Sequence, residues 1–259
     1  RELSLLQFWP QMLKILACSV GGEIKQRHRM SWTAMVPALT VPILCALIYF
    51  VWMPQGNGGR GAYGVTKIWV LVYPLFFFGW IGLGGLTRRE DRESNWPSWK
   101  VVALSGIGAG ILISFLGLVM VLTPLADVVR ENGHRVGEKV DGLGFREHFV
   151  PVAIFISVFH SAMEEYYWRW FVYGHLRQMV GHWPGHIIAA VAFTGHHFVL
   201  MAQLFPLPFA ISLSVLVGIG GLIWTLMYEW HGSVLGCWLS HLVVDAFLMI
   251  VGYRLLTGG

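Results

Sequence analysis

"VVALSGIGAGILISFLGLVMVLTPLA", residues 101–126, contains no aspartate, glutamate, lysine or arginine. About 20 such residues suffice to carry a helix through the hydrocarbon of a bilayer. Lipid offers no partner for a bare amide, so a crossing stretch must close its own hydrogen bonds as a helix or join a barrel. The dyad alternation of a barrel strand is missing here. The stretch therefore reads as a membrane-spanning helix, and similar stretches elsewhere decide the fold class.

Six further runs resemble it, at 34–54, 68–87, 148–171, 185–204, 206–228 and 232–253. Residues 3–20, "LSLLQFWPQMLKILACSV", are interrupted by Pro10 and Lys14. They read first as an interfacial amphipathic helix and second as an eighth span. The expected fold is an all-α polytopic membrane bundle of seven or eight transmembrane helices. Composition agrees: 56% of the 259 residues are hydrophobic and only 12% are charged, against roughly 25% charged in a soluble domain. Mean hydropathy is +0.61.

The net charge of +4 does not point to nucleic acid. The basic residues lie mostly in short loops beside apolar runs, where lipid headgroups and topology account for them. No basic stripe with interleaved aromatics accompanies them, so nucleic acid is not expected as a partner; the lipid bilayer is. Cys18, Cys45 and Cys237 form no CxxC pair, which argues against a disulfide framework and a thiolate zinc site. No stretch has the pattern of a cleavable signal sequence.

Lys25, Arg27 and Arg29 precede the first span, and Arg88, Arg89, Arg92 and Lys100 follow the second. Both flanks are expected on the cytoplasmic side. Arg130, Arg135, Lys139 and Arg146 run against that pattern, because the loop at 127–147 would then lie outside, accompanied by five acids. Gly59-Arg60-Gly61 and the glycine-rich 132–144 region read as loops. The division is a cytoplasmic or interfacial segment at 1–33, three helices with loops at 34–147, and a four-helix unit at 148–259.

Ionisable residues inside spans cost about 2.5–3.5 kcal/mol each at mid-helix and are usually paired or functional. Here they are His160, Glu164, Glu165, Arg169, His196, His197, His241 and Asp245, all in the last four spans. Glu165 and Arg169 are spaced i,i+4 and share a face, as an ion pair would. Glu164 is turned by about 100° from that face, with His160 at i−4. The arginine is thus expected to occupy Glu165 and leave Glu164 for chemistry. His196 and His197 are neighbours and should point to different faces, so at most one readily aims at a given cavity; spacing does not choose between them. His241 and Asp245 share a face, either as a structural pair or as two groups directed at a substrate. His182 and His186 flank Pro184 near an expected interface, His175 and His231 fall in expected short loops, and the glycines of the sixth span read as packing positions.

Three segments in order resemble the motifs of one family. "EEYYWR" (164–169) fits EExxxR, "FTGHH" fits FxxxH through Phe193 and His197, and "HLVVD" (241–245) fits HxxxN or HxxxD. Each is short and weak alone; in order, each within a hydrophobic run, they resemble the CPBP family of CAAX-protease and bacteriocin-processing membrane proteins, also called Abi. The likeness covers about 148–253 and identifies 148–259 as a CPBP-like catalytic core. It implies an intramembrane glutamic endopeptidase whose site opens toward the cytoplasm. By that likeness Glu164 and His197 activate water, His241 and Asp245 stand where the oxyanion is stabilised, and Glu165, Arg169 and Phe193 support the site, without a cofactor. His196 matches no motif position and should pack. CAAX-processing members commonly carry asparagine where Asp245 stands; an ionised aspartate repels an oxyanion that an amide would bind. The implied substrate is a peptide or protein with a membrane-associated or lipidated segment.

Two other readings fit the same residues. Glu164, His197 and His241 make a two-histidine, one-carboxylate set such as holds hydrolytic zinc, although HExxH is absent. Buried acids and histidines also build proton relays, so a proton-coupled transporter or a non-catalytic membrane scaffold is the alternative of another class. No inverted repeat shows in the hydropathy, which disfavours transport.

Overall fold

The computed structural model describes residues 32–53, 56–79 and 97–258. The segment 3–20, Cys18, and the basic residues Lys25, Arg27, Arg29, Arg88, Arg89 and Arg92 lie outside the described residues. Among those described there is no strand. In chain order the helices are α1 (Trp32–Leu47, continued by a π turn Ile48–Trp52), α2 (Gly56–Gly79), α3 (Trp99–Val121), α4 (Leu125–Glu131) and α5 (Gly133–Gly142). A helical run α6 follows, composed of Phe149–Ile154, Phe155–His160, Ser161–Glu165, Tyr166–Tyr173 and Gly174–Val180. Then come α7 (His182–Leu204), α8 (Leu207–His231) and α9 (Leu235–Thr257).

Among the described residues five helices are long and apolar enough to cross a membrane: Trp32–Trp52, Trp99–Val119, His182–Leu204, Leu207–His231 and Leu235–Thr257. The expected second span is displaced: its helix starts at Gly56, twelve residues before the charge-free run, and its apolar part is the shorter Gly61–Phe77. The run expected as the fourth span falls in α6, which continues past Arg169 to Val180 and is not among these five helices.

Burial is inverted relative to a water-soluble protein. Leu104 and Leu122 are 71% and 78% exposed, whereas Glu164, Glu165, Arg169, His186, His231 and His241 are buried. Apolar side chains outside and ionisable ones inside are what a lipid solvent demands. The α6 run is central, touching α1, α2, α7, α8 and α9. Gly181 (φ 89°) and Gly232 (φ 62°) adopt left-handed backbone, and each reverses the chain within a few residues into the next helix.

Two parts of α6 are wound as π-helix, Phe155–His160 and Tyr166–Tyr173. Such turns loosen the ordinary carbonyl pairing and occur at functional sites. The Val158 carbonyl here accepts Trp238 Nε1–H at 2.9 Å, which ties α6 to α9 one turn ahead of His241. Helix α9 is located from its other side by α3. A Cβ on Gly106 would lie 2.4 Å from the Gly236 carbonyl oxygen, and one on Gly110 would lie 2.7 Å from that of Ser240. Small residues four apart permit this approach of backbones. Gly106→Ala should therefore lower stability by about 1–3 kcal/mol, as overpacking does, seen as a lowered melting temperature in detergent; an unchanged melt would refute the contact.

Two expected loops are helical. Gly59 and Gly61 lie within α2, and 133–142 forms α5. Glycine's low helix propensity is overridden by packing. Gly133 and Gly137 sit against Leu255 and Leu256 of α9, and a Cβ on Gly137 would meet Arg146 Nη2 at 3.0 Å. The basic residues around α5 are largely answered locally. Arg130 pairs with Asp127 at 3.0 Å, Arg146 grips both oxygens of Asp141 at 2.5 and 3.0 Å, and Lys139 donates to the Phe50 carbonyl at 3.0 Å. The guanidinium beside Asp141 holds that carboxyl below its usual range.

Candidate active site

Glu164 and Glu165 fall between the two π segments, and both are buried. Adjacent on one helix, they point to different neighbours. Arg169 Nη1–H donates to Glu165 Oε1 at 2.9 Å, from one turn further along α6. His241 Nδ1–H donates to the same oxygen at 2.7 Å. The guanidinium also lies over the rings of Phe193, at 4.4 Å, and Trp224, at 4.9 Å, and reaches the Gly221 carbonyl at 3.5 Å. A cation held by a carboxylate and two aromatic faces can be buried without water.

Glu164 meets imidazoles on three sides. His196 Nε2–H donates to its Oε1 at 3.3 Å, and His160 Nε2 lies 3.3 Å from that oxygen. His241 Nε2 faces the other oxygen, Oε2, at 3.9 Å and Asp245 Oδ1 at 3.6 Å. An ionised carboxylate only accepts, so an imidazole nitrogen bonded to it must carry the proton. Among the described residues Oε2 of Glu164 accepts no hydrogen bond.

Both neighbouring histidines reach this carboxylate. A nitrogen of His196, a nitrogen of His197 and an oxygen of Glu164 lie within 4.8 Å of one another. The expectation that at most one of them aims inward is overturned: two side chains about 100° apart can straddle a group that stands between them. His196, expected only to pack, stacks on Trp168 with centroids 5.6 Å apart and also binds Glu164. His197 Nδ1–H donates to the Phe193 carbonyl at 3.0 Å, which leaves Nε2 with its lone pair. Phe193 thus fixes His197 through its backbone and Arg169 through its ring. Trp224 stacks on His241 at 4.2 Å and donates its Nε1–H to Ser240 Oγ at 2.9 Å.

The zinc set read from sequence is not the one assembled. The group of donors close enough for one ion among the described residues is Glu164, His196 and His197. His241 is not in that group, although its Nε2 lies 3.9 Å from Glu164 Oε2.

Two further polar features escape the sequence reading. Lys67, just before the second charge-free run, is in the middle of α2 and donates to His160 Nδ1 at 3.0 Å. Its signal was the helix's length, hidden because hydropathy rises only at residue 68. The second is a partly buried knot at the joined ends of α6, α7 and α8. Tyr173 Oη donates to Glu229 Oε2 at 2.7 Å, His186 binds the same oxygen at 2.9 Å and Thr225 Oγ1 at 2.9 Å, and His182 pairs with the remaining carboxylate oxygen. The i,i+4 spacings His182–His186 and Thr225–Glu229 carry that signal. His231, expected in a loop, ends α8 buried and faces Ser105 Oγ at 3.0 Å.

No curated protein and no solved structure matches the chain. Residues 146–247, which include every motif residue from Glu164 to Asp245, match the family model described as Rce1-like, type II CAAX prenyl endopeptidase Rce1-like, and over this segment the resemblance to the CPBP membrane proteases is shown.

Proposed function

We propose that the protein hydrolyses a peptide bond of a membrane-associated or lipidated protein, with Glu164 as general base. The observation that carries this is the division of labour between adjacent carboxylates. Each keeps one buried oxygen without a hydrogen-bond partner among the described residues, but Glu165 Oε1 takes both the Arg169 guanidinium and His241, whereas Glu164 is bonded only by imidazole and faces rings from separate helices. Such a group is expensive in a bilayer unless it works.

In the proposed reaction Glu164 Oε2 takes a proton from water as the water oxygen bonds to the scissile carbonyl carbon. The carbonyl electron pair moves onto its oxygen, which His241 Nε2–H faces when that ring is protonated. His197 Nε2 orients the water from the opposite side. Collapse breaks the C–N bond, and the leaving amine takes the proton from Glu164, giving one carboxylic acid and one amine. Asp245, a carboxylate, does not donate to the oxyanion; it orients His241 from beyond Nε2. We further infer that α2 and α6 also cross the bilayer, giving seven spans, with the site nearer the cytoplasmic face.

A zinc-assisted form of the same hydrolysis is the second reading, favoured by the grouping of Glu164, His196 and His197 within 4.8 Å. Two neutral imidazoles and a carboxylate fit a zinc ion by donor type. Under the first reading, exhaustive chelation followed by removal of the chelator leaves the cleavage rate within about twofold. Loss of activity restored by added zinc would install the second reading in its place.

A further inference from the structure

The carboxylate plane of a glutamate is not fixed by its own rotamer preferences, because its last torsion joins sp³ to sp² carbon and is broad. A base whose Oε2 must meet a water therefore needs its other oxygen held. At Glu164 that oxygen, Oε1, is met from two helices. His196 Nε2–H of α7 donates to it at 3.3 Å, and His160 Nε2 of α6 stands 3.3 Å away. Among the described residues Oε2 accepts no hydrogen bond. The two rings are secured differently. His196 stacks on Trp168, with centroids 5.6 Å apart and planes 2° from parallel. For His160 the hold is a charge: Lys67 Nζ of α2 reaches its Nδ1 at 3.0 Å.

That contact determines more than position. An ammonium carries three donors and no acceptor, so Nδ1 must offer its lone pair. In a neutral imidazole the proton then lies on Nε2, the nitrogen that faces Glu164 Oε1. The opposite tautomer would set a lone pair against a carboxylate oxygen and push it aside. Lys67 is itself held, its ammonium 4.7 Å from the centre of the Tyr63 ring one turn back on α2. A lysine inside a membrane bundle is normally paired with an acid or in use. Among the described residues no carboxylate oxygen comes within 4.0 Å of Lys67, and what its charge holds is His160.

We propose that Lys67 and His160 are positioning residues for the base. The ammonium fixes the place and the tautomer of the ring. The ring joins His196 in holding Glu164 Oε1, and Oε2 is left turned toward the reacting water. This rests on the hydrolytic reading above and adds two residues that touch neither the water nor the substrate. Helix α2, which contributes no reacting group, thereby sets the angle of the base.

The test uses the full chain in detergent and a fluorogenic peptide bearing a prenylated cysteine near its C-terminus. Lys67→Met and His160→Leu should each lower kcat by about ten- to hundredfold, as misplacing a reacting group does. KM should stay within about twofold, because neither residue binds the substrate. Lys67→Arg keeps the cation and His160→Gln keeps a donor and an acceptor, so each should recover most of the rate. The double variant Lys67→Met/His160→Leu should be no slower than His160→Leu alone, since one residue acts through the other. Additive losses, or a raised KM with kcat kept in Lys67→Met, overturn the assignment and put Lys67 on the substrate. Nitrogen-15 spectra of histidine-labelled protein read the tautomer without turnover, the His160 signals being those missing from His160→Gln. The unmutated protein should show His160 protonated on Nε2 alone, and Lys67→Met should move chiefly the Nδ1 signal. A proton on Nδ1 in the unmutated protein overturns the proposal even where a variant fails to fold. No cleavage by the unmutated protein, or undiminished cleavage by Glu164→Gln, overturns the hydrolytic reading and the positioning role with it, whereas the spectra still report whether Lys67 fixes the ring.

Discussion

Glu164→Gln should leave the protein folded and membrane-inserted, with a melting temperature near that of the parent, and slow peptide cleavage by about a thousandfold or more. Glutamine keeps the volume and can still accept from His196, which donates to Glu164 Oε1 at 3.3 Å. What disappears is the proton acceptor at Oε2, and general-base catalysis is worth roughly 10²–10⁴-fold. The loss should sit in kcat, because a proton acceptor acts in the transition state rather than in substrate binding. Full hydrolysis by this variant would mean that another group removes the proton, and the assignment of Glu164 would fail.

Glu165→Gln is expected to do the reverse and damage the fold first. Arg169 Nη1 and His241 Nδ1 both converge on Glu165 Oε1, at 2.9 and 2.7 Å, and all three side chains are buried. A neutral amide leaves the guanidinium without its counter-ion among Phe193, Trp224 and the Gly221 carbonyl. Breaking one side of a buried ion pair costs about 3–5 kcal/mol. Thermal melting in detergent should show a drop of several degrees or more, together with lost activity because His241 loses its anchor. A melting curve that coincides with the parent's would refute the pairing. The two substitutions, one residue apart, should thus separate: Glu164→Gln harms rate with little loss of stability, and Glu165→Gln harms both.

Charge-free runs made the membrane helices visible, because lipid punishes an unpaired charge wherever it falls. The i,i+4 spacing of Glu165 and Arg169 announced their contact for an equally direct reason, since one helix supplies both ends of it. Contacts between helices were legible only as candidates. His196 and His197 could not be ranked from spacing, and the structure uses both, because what matters is where α7 stands relative to α6. Lys67 was passed over since hydropathy marks where the apolar stretch begins, whereas α2 starts at Gly56. The knot of Tyr173, His186, Thr225 and Glu229 was missed because its members lie on three helices, each looking ordinary near an expected interface. Glycines misled at 133–142, where close approach to α9 outweighs their poor intrinsic helicity.

The π winding at Phe155–His160 has a consequence for how this chain can change. A wider turn accommodates more chain per revolution than an α turn, so every residue beyond it carries a phase that depends on the number of residues within it. Dropping a single residue from an ordinary α turn would swing Glu164 and Glu165 together by about 100°, whereas dropping one from this wider turn can return it to α winding with the acids still aimed at His196 and His241. That stretch is therefore where the helix can absorb a change of one residue in length before the paired acids without losing their angle.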